Sequence, residues 1–183
     1  SVTLHTHLAE TKVQVVHAHR RWGKSIVEHC RDVGLLSSGF VGAHAIWLTD
    51  DDMQVMSEAG STVVHNPASN LKLGSGTAPV REWIDHGLSV ALGTDGSMSS
   101  DNQNMFEAMR FAALVNKVRH PHDPDRWLGA NDVWSMATVG GARSTGWEGQ
   151  LGRIQAGYKA DIVLMSADSV SLKPLNHPLN PLV

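Results

Sequence analysis

Short apolar runs alternate with helix-like stretches along nearly the whole chain, and this alternation limits the possible folds more than any other feature of the sequence. Residues 2–9 set Val2, Leu4, Thr6 and Leu8 against Thr3, His5, His7 and Ala9, a strand period that puts both imidazoles on one face. Over residues 11–36, Val13, Val16, Trp22, Ile26, Val27, Cys30 and Val33 recur at three- and four-residue steps, which predicts one amphipathic helix with a weak spot at Gly23. A second apolar run over 40–47 leads to Thr49 and three aspartates, the signature of a helix N-cap and first turn, and that helix ends at Gly60. Residues 61–65 read as the third strand, 66–77 as a polar loop and 78–86 as a helix closed by Gly87. A fourth strand spans 88–94, a loop 97–102 and a helix 105–118. A Pro/Asp/His connector then leads to a last helix over 129–143, capped near Asn131.

From Gly146 onward, Gly149, Gly152 and Gly157 with the run 160–165 predict short antiparallel strands joined by turns. The β, α alternation before it implies parallel strands covered by helices. A complete (β/α)8 barrel takes about 250 residues, so four units correspond to half of one. The chain opens in mid-strand without a methionine and stops at Asn180-Pro181-Leu182-Val183, so both ends look cut from something longer.

In parallel α/β folds, chemistry collects where strands end at their C-terminal side. All four strands carry a polar residue there: His7 with Glu10, His44, His65 with Asn66, and Asp95. Taken singly, each has a plain structural reading. His44 between alanines fits a core histidine, Asp95-Gly96 fits a turn, and residues 65–70 fit a loop stitched together by its own polar atoms. Four in succession point to a site. Imidazole and carboxylate are zinc ligands, and an unligated Glu beside them can move protons. Gly74-Ser75-Gly76 has the small residues of a phosphate cradle but neither a Walker lysine nor a dinucleotide fingerprint. His120, His122 and His177 read as solvated loop residues.

The motifs H-T-H-L-A-E-T, G-A-H-A-I-W-L, V-V-H-N-P-A-S-N-L-K-L-G-S-G, L-G-T-D-G and G-x-I-x-x-G-x-x-A-D-I-V-L follow one another along the chain. In this order they resemble the amidohydrolase superfamily, in the branch of cytosine, guanine and S-adenosylhomocysteine deaminases and chlorohydrolases. The resemblance implies strands five to eight of a (β/α)8 barrel over 1–145 and part of a composite β-sandwich domain over 146–183. It implies His7 and Asp95 as ligands of one divalent metal ion, zinc ahead of iron. It also implies Glu10 as a proton shuttle, His44 as a hydrogen-bond partner of the nucleophile or the developing oxyanion, and Asp95 as acceptor of a proton from the attacking water. The implied reaction is hydrolytic displacement of an amine or halide from a nitrogen heterocycle. The family takes two further ligands from an H-x-H pair on strand one. The only such pair in a strand here, His5-Thr6-His7, sits in the strand-five pattern, so the N-terminal half of the barrel is expected elsewhere and this segment alone is expected to be inactive. The alternative reading is a non-catalytic barrel fragment or interaction module.

Implied partners are a small heterocyclic substrate, the absent barrel half and, as a compatible assembly, a homo-oligomer. A net charge of −3 with both signs scattered excludes the electrostatic footprint of a nucleic-acid binder. No apolar run approaches the ~18 residues of a membrane span. The single Cys30 rules out an intrachain disulfide and a Cys-rich zinc module, and fits a cytoplasmic setting.

Overall fold

The computed structural model describes residues 2–169, 172–173 and 176–183. Four strands, β1 (Leu4–Leu8), β2 (Phe40–His44), β3 (Thr62–His65) and β4 (Ser89–Leu92), form one parallel sheet in the order β1-β2-β3-β4. The expected strand count, direction and helix-covered character are all borne out. Register runs Leu4 to Phe40 and Leu8 to His44, then Val41 to Thr62, then Thr62 to Ser89 and His65 to Leu92. All four strands therefore end on one edge of the sheet. Phe40, Met56, Val63, Trp83, Leu92 and Met109 belong to one apolar cluster between sheet and helices, and each is at most 6% exposed. Among the described residues β1 and β4 each pair on one side only.

The single helix expected over 11–36 is two. In α1 (Lys12–Trp22) the Thr11 side chain accepts from the Gln14 N–H, and Gly23 closes the helix at φ 70°, a left-handed value glycine adopts without strain. Ser25 and Glu28 then form a reciprocal capping box that starts α2 (Ile26–Asp32). The weak spot is a stop followed by a new start. The expected cap of α3 (Asp50–Glu58) is present, with Thr49 and Asp52 as its capping box.

Two stretches read as loops contain helices. Pro67 at the first turn pre-sets the backbone of α4 (Pro67–Lys72), so the proline that suggested a loop begins a helix. After α5 (Val80–Asp85) and β4, a single turn, α6 (Ser97–Ser100), follows Gly96. Asn104 caps α7 (Met105–Arg119) by accepting from the Phe106 and Glu107 N–H groups.

The last expected helix is interrupted. α8 (Ala130–Ser135) is capped at Gly129 instead of near Asn131, with Asp132 accepting from the Gly129 N–H at 2.8 Å. A π-helical turn, Met136–Gly140, joins it to α9 (Gly141–Ser144). That turn lies directly on β4: a Cβ on Gly140 would come within 2.3 Å of the Val90 carbonyl oxygen.

The short strands expected beyond Gly146 are not formed among the described residues, which run there as turns and unpaired backbone. A strand needs a partner ladder for its N–H and C=O groups. Here Val163 and Leu164 are 74% and 92% exposed. Residues 170, 171, 174 and 175 of that expectation, and Ser1 of the first strand, lie outside the described residues.

Candidate metal centre and active site

Three of the four strands, β1, β2 and β4, leave the sheet through backbone that non-glycine residues rarely adopt. Ala9 (φ 44°), His44 (φ 71°), Ala45 (φ 47°) and Asp95 (φ 63°) are four of the six non-glycine residues with positive φ among the described residues. Such conformations cost on the order of 1 kcal/mol each and cluster where side chains are aimed for function. At His44 the reason is visible. His7 is in register with Ala43, so regular alternation would send His44 to the opposite face. The left-handed turn instead swings its ring alongside that of His7, with centroids 5.3 Å apart and planes 16° from parallel. The Ala45 N–H donates to the Leu8 carbonyl at 2.8 Å and the Trp47 N–H to the Ala9 carbonyl at 3.0 Å, fixing the two exits to each other.

His7, His44 and Asp95 each offer a ligand atom within 4.8 Å of the others. The Nε2 atom of His44 is 3.9 Å from Asp95 Oδ2 and 4.0 Å from Glu10 Oε2. All four residues named for the site from the sequence therefore converge, whereas His5 stands outside the cluster. The structure also adds His44 to the set of possible metal donors. The His44 ring is 1% exposed, and its Nδ1 lies 2.8 Å from Asn70 Oδ1. With Nδ1–H donating to that oxygen, the Nε2 lone pair faces the cluster, where it has no partner. A buried, unpaired imidazole nitrogen beside a second imidazole and a carboxylate fits a divalent cation that accepts N and O donors.

Asp95 is held as an anion. Burial alone would raise its pKa, but hydrogen bonds from Ser69 Oγ, the Gly96 N–H and Ser99 Oγ, with the nearby His44, outweigh burial and keep the carboxyl below its ordinary value. The two hydroxyls lie 2.6 and 3.0 Å from Oδ2, and the Gly96 N–H lies 2.8 Å from Oδ1. Glu10 has Oε1 3.0 Å from the Ser75 hydroxyl, which donates to it. That carboxylate occupies the glycine-flanked loop 74–76, where its oxygens stand in place of the phosphate that a cradle there would hold.

His65 turns away from the cluster into the core. It is 2% exposed and meets Trp83 edge-on at 6.0 Å between centroids. Burial, then repulsion from His44, pushes its pKa down to about 3. An unfolded chain protonates this imidazole near pH 6.5 and the folded one does not, so stability is full above that pH and is lost as pH falls toward 3. The full loss across that range is on the order of 5 kcal/mol. His65→Leu is expected to flatten the decline in unfolding free energy between pH 6.5 and 4, read by denaturant titration at several pH values; an unchanged slope refutes it. His120, read as solvated, is also largely covered, at 11% side-chain exposure and 3.6 Å from Glu82.

The residues that hold the site, Ser69, Asn70 and Ser75, were missed as contributors because 66–77 reads as loop. The available signal was Pro67 at a helix start with small polar residues one turn on.

The amidohydrolase family model matches residues 1–182. The chain belongs to the amidohydrolase family. It is 42% identical over 180 residues to a 5-methylthioadenosine/S-adenosylhomocysteine deaminase of Acetivibrio thermocellus, covering 98% of this chain and 41% of that protein. Among solved structures it superposes on an adenosine deaminase from Xanthomonas campestris with bound zinc (TM-score 0.92, 32% identity, 98% of this chain and 40% of that one). It also superposes on an atrazine chlorohydrolase from Arthrobacter aurescens complexed with zinc (TM-score 0.93, 32% identity, 99% and 40%). This amidohydrolase segment thus spans about two fifths of the length of the curated relatives it matches. No described helix is long and apolar enough to cross a membrane.

Proposed function

We propose that a full-length protein carrying this segment is a metal-dependent aminohydrolase that deaminates an amino-substituted nitrogen heterocycle, with adenosine derivatives as the first substrate class. The observation that carries the reading is the convergence of His7, His44 and Asp95 with Glu10 at one edge of the sheet. Residues 1–145 would form the C-terminal half of the barrel, completed by an N-terminal half that brings two more ligands, and 146–183 would join a composite β-sandwich.

His7 and Asp95 would hold one zinc ion, with the free nitrogen of His44 facing it. The N and O donors suit zinc or iron, and the zinc in the two solved relatives favours zinc. A divalent cation there supplies Lewis acidity and brings the pKa of water toward neutrality. Asp95, kept ionised, accepts a proton from the attacking water. His44 Nε2 accepts a hydrogen bond from the nucleophile and orients it. Glu10 delivers its proton to the ring nitrogen as water adds to the adjacent carbon; the proton taken up by Asp95 then passes to the amine as the C–N bond breaks, and Glu10 recovers the hydroxyl proton as the ring carbonyl forms. The products are ammonia and the ring carbonyl. The two carboxylates divide the work because Asp95 is pinned by three donors, while Glu10 keeps Oε2 unengaged by Ser75. The buried thiol of Cys30 suits a reducing cytoplasm, and a homo-oligomer is compatible with the fold.

The test is ammonia release by the full-length protein, zinc-loaded and chelator-stripped, against adenosine derivatives, guanine, cytosine and amino- and chlorotriazines. Zinc-restored ammonia release from an adenosine derivative is expected. Chloride release alone moves the assignment to dehalogenation, and neither product, from protein with stoichiometric zinc, overturns it.

A further inference from the structure

The reactive groups sit on three different strand exits, yet Asp95, His44 and Glu10 each take a side-chain partner from one short stretch, residues 69–75, to which Ser99 adds a second hydroxyl on Asp95. Ser69 donates to Asp95 at 2.6 Å, Asn70 pairs with His44 at 2.8 Å and Ser75 donates to Glu10 at 3.0 Å. Ser69 and Asn70 lie in α4, 0% and 2% exposed, and Ser75 is 8% exposed. Their hydroxyls and amide are directed at site residues instead of solvent.

Ser75 is itself fixed. Its N–H donates to the Asn70 carbonyl at 2.9 Å, and its own carbonyl accepts from the Trp47 indole N–H at 2.9 Å. Gly76, at φ 128°, lies so close to Trp47 that a Cβ would approach the ring to 2.9 Å. Trp47 follows the β2 exit that carries His44, so β1, β2 and α4 are tied through Ser75.

We infer that this stretch is a positioning unit, in which Ser69 acts through Asp95 on metal affinity and Ser75 acts through Glu10 on proton delivery. Ser75 engages Oε1, which leaves Oε2 directed at His44 Nε2, 4.0 Å away. Without the hydroxyl, Glu10 would rotate freely, and the proton donor would spend most of its time out of line. Ser69 fixes the Asp95 oxygen nearest His44, and loss of a hydrogen bond of this kind to a ligating carboxylate weakens metal binding about ten- to a hundredfold.

The inference rests on the roles proposed above for Glu10 and Asp95, and the experiment separates the two. In the full-length zinc-loaded protein, kcat, KM and zinc affinity by chelator competition are measured for Ser69→Ala, Ser75→Ala, Ser75→Thr, Glu10→Gln and Ser75→Ala with Glu10→Gln. Ser69→Ala is expected to weaken zinc binding about tenfold or more. Ser75→Ala should leave zinc affinity and KM as they were and lower kcat about tenfold, with Ser75→Thr recovering most of it. In the Glu10→Gln background Ser75→Ala should cost nothing further, whereas a loss of folding would recur there in full. Wild-type kcat in Ser75→Ala, a full additive loss in the double variant, or unchanged zinc affinity in Ser69→Ala each overturns the inference. Full activity in Glu10→Gln instead overturns the reading of the site.

Discussion

Asp95→Asn, in a full-length protein carrying this segment, is expected to lose most bound zinc and to lower kcat/KM by at least about 10³-fold. The substitution keeps the shape and removes the charge. Asp95 now collects Ser69 Oγ, Ser99 Oγ and the Gly96 N–H around one carboxylate, and these donors hold it ionised despite partial burial. An amide retains one oxygen for the Gly96 N–H, but its other terminus is a donor, facing two hydroxyls that must turn to accept from it. It neither ligates a cation as an anion nor takes a proton from water. Since the neighbouring hydroxyls reorient and φ 63° is tolerated by asparagine as by aspartate, the melting temperature should stay close to that of the zinc-stripped parent. Zinc content by elemental analysis and turnover by ammonia release check the two halves. A variant that keeps stoichiometric zinc and more than about a tenth of the activity would remove Asp95 from both roles.

How far the site is legible in the sequence follows from which contacts are local. Strand number and direction are carried by apolar runs and by caps such as Thr49 with Asp52, signals contained within a few residues, and these read correctly. His7, His44 and Asp95 are legible as a group because a parallel sheet brings every strand's C-terminal end to one edge. The supports are not legible, because each joins residues 26 or 65 apart: Asn70 to His44, Ser69 to Asp95, Ser75 to Glu10. Periodicity says nothing about such pairs, and Pro67, which starts a helix as readily as it shapes a loop, hides the element that makes them. The break between α1 and α2 is hard to read from the sequence for a similar reason. Gly23 weakens a helix in the middle and ends one at the edge, and only the Ser25 and Glu28 box after it decides between them. The π-helical turn at Met136–Gly140 depends on the fit of Gly140 against the β4 backbone, which no one-dimensional pattern encodes.

Glu10→Gln is expected to lower kcat by about 10²- to 10⁴-fold while zinc content, KM and melting temperature stay near those of the parent. The amide is nearly isosteric with the carboxylate, and its oxygen can still accept from Ser75 Oγ, so the side chain keeps its place 3.0 Å from that hydroxyl. What it lacks is a titratable proton. Binding energy from the heterocycle is unaffected and only transition-state proton delivery is lost, so the effect belongs in kcat. The same contrast separates Glu10 from Asp95. Both carboxylates approach His44 Nε2, at 4.0 and 3.9 Å, but Asp95 is held by three donors and Glu10 by one, so neutralising Asp95 should release zinc and neutralising Glu10 should not. Zinc loss in Glu10→Gln would make Glu10 a ligand instead of a shuttle, and full turnover with zinc retained would leave the protonation of the ring to another group.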